Sequence, residues 1–340
     1  MSDLVRLAHG SGSVLTHRLI SDVFLKHLRD SELARLNDSA LLDLPAQAWQ
    51  GGRLAFTTDS FVITPLEFPG GDIGKLAVCG TVNDLAAGGA QPLWLSAAWV
   101  LEEGLPMALL DRLVASMASA AAEAGVRIVT GDTKVVPRGQ ADGAYCSTAG
   151  IGVVPAGRQV GPERIREGDA VLVNGPLGDH GMAVLLQRQG INMASDLRSD
   201  CAPLSELAES LFNAGVEVHC LRDATRGGMA GVLVELAEAS GCGIEIQESA
   251  VPVRKEVAAA AEMLGLDPLF VANEGKMVAL VAQKDAERAL QAWRGSPLGE
   301  EAAIVGRVVG AHPRHVVQRT TLGTGRFIQM PAGELLPRIC

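Results

Sequence analysis

The chain is predicted to fold as α/β in two domains, and three observations predict it. Its 340 residues exceed what one hydrophobic core of ordinary size organises. Apolar residues make up 48% and charged residues 20%, with 39 glycines, which is the balance of a globular protein built from strands, helices and tight turns. An alternation of apolar strands with glycine-closed helices also runs twice, once before Pro155-Ala156-Gly157 and again from Gly168. The segments that follow are 1–35, a glycine-rich loop and helix; 36–154, the first α/β domain; 155–311, the second; and 312–340, a flexible tail.

In the first half, His9-Gly10-Ser11-Gly12-Ser13 precedes a run in which Leu15, Leu19, Ile20, Val23, Phe24 and Leu28 recur at helical spacing. Small residues entering a helix let backbone N–H groups close on an anion; the alternative is a leader capped by Ser13. Leu54 to Ile63 is a strand interrupted by Asp59, which either bonds locally in a bulge or faces a ligand. The helix from Gly74 to Gly88 carries Asn83-Asp84, two candidate ligands or a solvated face. Pro92 to Leu101 is an apolar strand, and Met107 to Ala124 is an Ala-rich helix ended by Gly125. Val126 to Val129 then leads into a loop, Thr130 to Val136. That loop sets Asp132, Thr133 and Lys134 at a strand end, where α/β proteins place ligands. Ala144 to Val154 is a further strand.

In the second half, Ala170 to Val173 is a strand, Gly175 to Gly181 a glycine turn holding His180, and a helix runs to Gln189. His180 is a ligand, a base or a turn residue. Asp223-Ala224-Thr225-Arg226-Gly227-Gly228 follows the short strand Val218 to Leu221 and opens the helix Met229 to Ala239. A carboxylate, a hydroxyl and a guanidinium thus stand at a strand-to-helix junction whose glycines admit close backbone approach. Asn273-Glu274-Gly275-Lys276 precedes the strand Met277 to Ala282, so Glu274 is a turn residue or a site carboxylate. After the strand Ile304 to Val309 the pattern loosens, and His312 and His315, lacking further ligands, read as surface. A short β-like stretch ends at Met330.

The formal net charge of −10 and the absence of any Lys/Arg run exclude nucleic acid as a partner. No apolar run approaches the length of a membrane span, and Met1 to His9 lacks the apolar core of a secretory signal, so no membrane association is expected and a cytoplasmic protein is. Six cysteines, at 79, 146, 201, 220, 242 and 340, include no CxxC pair, which argues against a zinc ribbon, a redox motif or a disulfide scaffold. No Walker A motif is present: Gly74-Lys75 is followed by Leu76, and Pro69 stands where its first glycine belongs. An acidic chain that handles a phosphorylated ligand calls for a divalent cation, so Mg²⁺ is expected. Cys340 has nothing after it to close it into a core, and its own carboxylate opposes its ionisation. It reads as a thiol carried to a site elsewhere in the chain, or as a frayed terminus.

Taken together, His9-Gly10-Ser11-Gly12, Thr58-Asp59-Ser60, Asn83-Asp84-Leu85-Ala86, Gly131-Asp132-Thr133-Lys134, Asp223-Ala224-Thr225-Arg226-Gly227-Gly228, Asn273-Glu274-Gly275 and terminal Pro337-Arg338-Ile339-Cys340 closely resemble the HypE family of hydrogenase maturation proteins. That family lies in the aminoimidazole ribonucleotide synthetase-like (PurM-like) ATP-binding superfamily. The likeness runs from residue 8 to the last residue, with Ser13 where the family usually has a second consecutive glycine. The resemblance implies a two-domain PurM-like fold, with an N-terminal half that forms a β-barrel across a homodimer and a C-terminal α/β sandwich. It implies that Gly10, Ser11, Gly12, Asn83, Thr133, Thr225 and Gly227 contact ATP, that Asp59, Asp84, Asp223 and Asp132 serve Mg²⁺, and that Cys340, Lys134 and Glu274 are catalytic. The implied reaction is ATP-dependent dehydration of an S-carbamoyl group on Cys340 to a thiocyanate, the source of cyanide for the iron of NiFe hydrogenase. The implied partners are a carbamoyltransferase (HypF) and an iron-scaffold complex (HypC–HypD).

The chemistry suits the residue types. Oxide is a hopeless leaving group from a thiocarbamate, so ATP would first phosphorylate the carbonyl oxygen, and phosphate would depart as the nitrogen loses its protons. Carboxylate-held Mg²⁺ offsets the phosphate charge, a cation such as Lys134 meets the developing oxyanion, and a carboxylate such as Glu274 takes the proton. Which of the two is the base stays open. Roughly 25 residues follow His315, a reach of several tens of ångströms at about 3.3 Å each. Two other readings compete. A superfamily enzyme acting on a soluble substrate would leave Cys340 idle, and a non-catalytic metal or cyanide carrier would use it with His312 and His315.

Overall fold

The computed structural model describes residues 4–37, 39–191, 193, 196–330 and 339–340. They fall into two compact units: the described residues up to Leu85 with Ala90–Gly157 and Cys340, and Ala86–Gly89 with the described residues of Arg158–Ile339.

In the first unit, Ser13 caps α1, Val14–Leu19, by accepting from the Leu15 N–H at 3.3 Å. The helical path continues through a π turn, Ile20–Phe24, into Leu25–His27. A four-stranded sheet follows, made of β1 (Arg53–Phe61), β2 (Gln91–Glu102), β3 (Arg127–Val136) and β4 (Ala144–Val154) in the order β1-β4-β2-β3. β4 runs antiparallel to β1 and β2, whereas β2 and β3 are parallel. A parallel pair needs a crossover, which the helix Met107–Glu123 supplies. α2, Ile73–Ala87, joins β1 to β2 and is buried along most of its length.

β1 alternates with the period of a half-buried strand. Leu54, Phe56, Thr58 and Ser60 are exposed, while Ala55, Thr57, Asp59 and Phe61 are at least half-buried. Gly80 of α2 lies under the inward row, where a Cβ would stand 2.9 Å from the Phe61 ring, so only glycine lets helix and strand approach this closely. Thr130–Val136, expected as a loop, instead continues β3. Ala98, Trp99 and Val100 of β2 pair in register with Asp132, Thr133 and Lys134, and on an edge strand such polar residues can face water.

The second unit is built on a seven-stranded sheet. Its strands are β5 (Ala170–Val173), β6 (Val218–Asp223), β7 (Gly243–Gln247), β8 (Met277–Val281), β9 (Ala303–Val309), β10 (Val316–Arg319) and β11 (Gly325–Ile328), in the order β11-β10-β7-β9-β5-β8-β6. β5 and β8 are buried on both faces and therefore read as continuous apolar runs. Val171, Val173, Val278 and Leu280 pack with Met229, Leu233 and Leu236 of the helix Gly228–Ser240. Leu172, Met277, Ala279 and Val281 pack on the other face with Leu207, Leu211 and Trp293, from the helices Ser205–Asn213 and Ala286–Arg294. β10 and β11 lie inside the 312–340 stretch that the sequence suggests as a flexible tail. They are strands because Val316, Val317 and Ile328 bury against the sheet, with β10 parallel to β7.

Candidate active site

In the first unit, Asp59 and Asp84 meet along one strand-to-helix seam. Thr57 Oγ1 donates to Asp84 Oδ2 at 2.8 Å, and Asp59 Oδ2 lies 3.7 Å from where a Gly80 Cβ would be. Gly80, Asn83 and Asp84 share a helix face because residues three and four apart lie one above the other. Asn83 is buried and Asp84 half-buried. The seam thus carries two carboxylates, Asp84 held by the Thr57 hydroxyl and Asp59 facing Gly80. Among the described residues no group of three or more His, Cys, Asp or Glu side chains is placed to hold a metal by itself. Mg²⁺ usually takes one or two carboxylates and completes its shell with phosphate oxygens and water, and Asp59 and Asp84 offer two.

Asp132, Thr133 and Lys134 lie on β3, at the sheet edge opposite β1, with two strands between them. At about 4.8 Å per strand this separates them from Asp59 by roughly 14 Å within the sheet. Lys134 Nζ instead closes on Asp132 at 2.6 Å, both side chains being exposed. That hydrogen bond is the main cause holding the Asp132 carboxyl below its ordinary range. The glycine-rich loop reaches the same strand: a Cβ on Gly10 would stand 2.8 Å from the Val135 nitrogen. Ser11 and Ser13 both donate to the Ala8 carbonyl, at 3.0 and 2.8 Å, so Ser13 knits the loop as well as capping α1. The Val62 N–H donates to a terminal oxygen of Cys340 at 3.2 Å, and Cys340 is half-buried.

In the second unit, Asp223 ends β6, and the loop through Thr225 turns into the helix at Gly227 and Gly228. Both glycines have positive φ, 78° and 62°, a left-handed pair that side chains resist. Asn273, to which the sequence assigned no role of its own, holds this loop in place. Its Nδ2 donates to the Ala224 carbonyl at 2.8 Å, and its Oδ1 accepts from the Gly178 N–H at 2.7 Å. The next residue, Glu274, is 2% exposed and fixed through its main chain: its N–H donates to Asp200 Oδ1 at 3.1 Å, and its carbonyl accepts from Ala202 at 3.3 Å.

Asp200 is a second buried residue that sequence reasoning missed. Burial pushes its carboxyl up, but Lys276 Nζ, at 3.0 Å, and the other groups around it outweigh burial and hold it below its ordinary range. Asp179, on the helix Asp179–Arg188, moves the other way. Burial, reinforced by the charge of Asp200, lifts it to about 6 against the pull of Lys276 and Arg254. Asp179, Ser199, Asp200, Arg254 and Lys276 line a cavity of about 520 Å³. His180 is wholly buried beside it, with Nδ1 2.8 Å from Ser199 Oγ and Nε2 2.6 Å from the Ile339 carbonyl oxygen. The sequence signal for this cluster is thin: single polar residues next to glycines, far apart along the chain.

Residues 36–154 match the sequence profile of the AIR synthase related protein N-terminal domain, and residues 166–318 that of its C-terminal domain. The chain is 52% identical to a carbamoyl dehydratase HypE from Rhodobacter capsulatus, over 99% of this chain and 98% of that one. A solved structure of the hydrogenase maturation protein HypE in complex with ATP superposes with a TM-score of 0.93 at 48% identity, covering 98% of this chain and 99% of the other. A chain from a solved HypE–HypF complex superposes at 0.80 with 45% identity, covering 92% and 99%. With two-domain architecture, profile matches and identity all running the length of the sequence, the chain belongs to the HypE carbamoyl dehydratase family.

Proposed function

We propose that the chain receives a carbamoyl group on the sulfur of Cys340 and, using ATP, removes water from it to leave a thiocyanate, from which cyanide passes to the iron of NiFe hydrogenase. One observation of the fold carries this reading beyond family membership. A buried carboxylate, Glu274, is immobilised at its main chain in the unit that also seats Ile339, the neighbour of the end-of-chain thiol.

The residues divide the work as follows. Asp59 and Asp84 are the pair suited to Mg²⁺, with Asp223 offered from the end of β6. When bound, the ion offsets phosphate charge and orients the transferring group. The glycine-rich loop, Thr133, Thr225 and Gly227 are the N–H groups and hydroxyls assigned to ATP. Lys134, already ion-paired with Asp132, suits the role of cation toward the carbonyl oxygen as it becomes phosphorylated. Glu274 takes the N–H proton as phosphate leaves, a role typically worth 10²–10⁴-fold.

Two copies assemble through the first unit on this reading. The uncovered face of its sheet exposes Leu54 at 56% and Phe56 at 72%, and a barrel closed with a second copy would cover them. HypF is the proposed carbamoyl donor and a HypC–HypD iron scaffold the acceptor. A cytoplasmic setting belongs to the same reading; among the described residues no helix is long and apolar enough to cross a membrane.

The test is intact and peptide mass spectrometry of the chain carbamoylated by its transferase, before and after Mg-ATP. Loss of one water confined to the peptide ending in Cys340 is expected. A carbamoyl adduct that survives while ATP is hydrolysed overturns the reading and points to a soluble substrate.

A further inference from the structure

We infer that His180 is the positioning residue that seats the C-terminal tail, by donating from its ring to the main chain of Ile339. The inference rests on the proposal that Cys340 carries the reacting group.

Chemistry fixes the direction of the bond to the tail, and a neutral ring fixes the next one. The Ile339 carbonyl can only accept, so the hydrogen in the 2.6 Å contact belongs to His180 Nε2. In a neutral ring that leaves Nδ1 as an acceptor, and Ser199 Oγ, 2.8 Å away, donates to it. Ser199 Oγ in turn accepts from the Cys201 N–H at 3.0 Å. The neutral ring with its hydrogen on Nε2 satisfies the whole series, from the Cys201 amide through Ser199 and the imidazole to the tail. Burial favours that state, because it opposes charging the ring, with Asp200 and the Ile339 carbonyl acting the other way.

The arrangement makes the seat specific for the tail. With the tail in place His180 is wholly buried, so its bond to the Ile339 carbonyl is made away from water, where a hydrogen bond is stronger than at the surface. Ile339 is itself 2% exposed, which gives the seated tail an apolar anchor one residue from the thiol. Hydrogen bond and anchor together favour return of the tail after Cys340 has been loaded, and removing the bond alone shifts the seated fraction about tenfold.

The test uses the full-length chain with His180→Leu, His180→Gln and Ser199→Ala. Glutamine can place an amide N–H near the position of Nε2; leucine cannot. The first readout is the rate at which iodoacetamide alkylates Cys340, followed on the C-terminal peptide. His180→Leu is expected to raise it about tenfold, His180→Gln to restore it to within about twofold, and Ser199→Ala to fall between. The second is single-turnover dehydration of carbamoylated chain, with His180→Leu lowering the rate by a similar factor at unchanged KM for ATP.

A folded His180→Leu chain with wild-type Cys340 reactivity overturns the inference. So does a His180→Gln chain as defective as the leucine variant, since that marks a merely structural histidine. If His180→Leu does not fold, Ser199→Ala decides alone: faster alkylation supports the seat, and an unchanged rate overturns it. Failure of the wild-type chain to dehydrate would remove the functional reading, while the alkylation series would still decide whether His180 seats the tail.

Discussion

Gly275 and Asp200 touch through their main chains: a Cβ built on Gly275 would stand 1.8 Å from the Asp200 carbonyl oxygen. Neither partner is a flexible side chain end, so one backbone segment must move if the glycine is replaced. Gly275→Ala is predicted to cost about 3 kcal/mol, the upper range for overpacking, and to displace Glu274 next to it. Thermal unfolding and single-turnover dehydration check this together. An alanine variant with wild-type melting temperature would contradict the close approach.

Lys134 and Asp132 pair in the open, and exposed ion pairs add little to stability, commonly under about 1 kcal/mol. Lys134→Met should therefore leave the melting temperature nearly unchanged. If Lys134 meets the developing oxyanion, the variant loses roughly 10²–10³-fold in dehydration rate while ATP affinity holds within a few fold. Comparable losses of affinity and rate would place Lys134 in nucleotide binding instead.

Thr57 orients Asp84 from the neighbouring strand. Thr57→Val keeps the shape of the side chain and removes the donor. Groups that orient a ligating carboxylate are worth about 10–100-fold in metal affinity, so Mg²⁺-dependent ATP binding should weaken by about tenfold. Titration calorimetry at several Mg²⁺ concentrations reads this directly. Equal weakening with and without Mg²⁺ would argue that Asp84 serves no metal.

Asp179 supplies a pH signature. Its carboxyl is lifted from an ordinary 3.8 to about 6, so the folded chain binds that proton more tightly than the unfolded chain does. The stabilisation is full below pH 3.8 and is lost as pH rises through about 6. Asp179→Asn keeps the neutral form at every pH. It should be more stable than the wild type at neutral pH by about 1–2 kcal/mol once solvent screening is allowed for. The advantage should shrink toward pH 4, close to the ordinary carboxylate value of 3.8. Urea midpoints across this range check the sign, and a variant less stable at neutral pH would reverse the argument.

Where burial follows chain period, the sequence was readable. β5 and β8 are continuous apolar runs, and α2 is closed by glycines, so their positions could be assigned from residue type. β7 was not readable, because Glu245 interrupts it. That carboxylate is tolerated inside the sheet because Arg319 of β10 reaches it at 2.5 Å, a partner 74 residues away. β3 was cut short for a related reason, since Asp132 and Lys134 satisfy each other on an edge strand. At the site, Asp59, Asp84 and Glu274 stand out because carboxylates are unusual in such places. Asn273 and Asp200 hold main-chain groups far along the chain, and Ser199 and Lys276 meet the remote side chains of His180 and Asp200, which no local pattern records.

β11 sets the length of the leash. Its last residue, Ile328, is buried in the second unit's sheet, so twelve residues, not the 25 or so after His315, separate the last strand from the end of the chain. Even fully drawn out, such a segment spans only about 40 Å. Any enzyme that loads the thiol must therefore bring its own catalytic pocket within that radius of the end of β11. A donor whose carbamoyl site lies beyond that reach would be excluded by distance alone, whatever its affinity. Choice of partner is in this sense partly a matter of rope length, adjustable by adding or removing residues beyond the last strand without touching a single group that takes part in the chemistry.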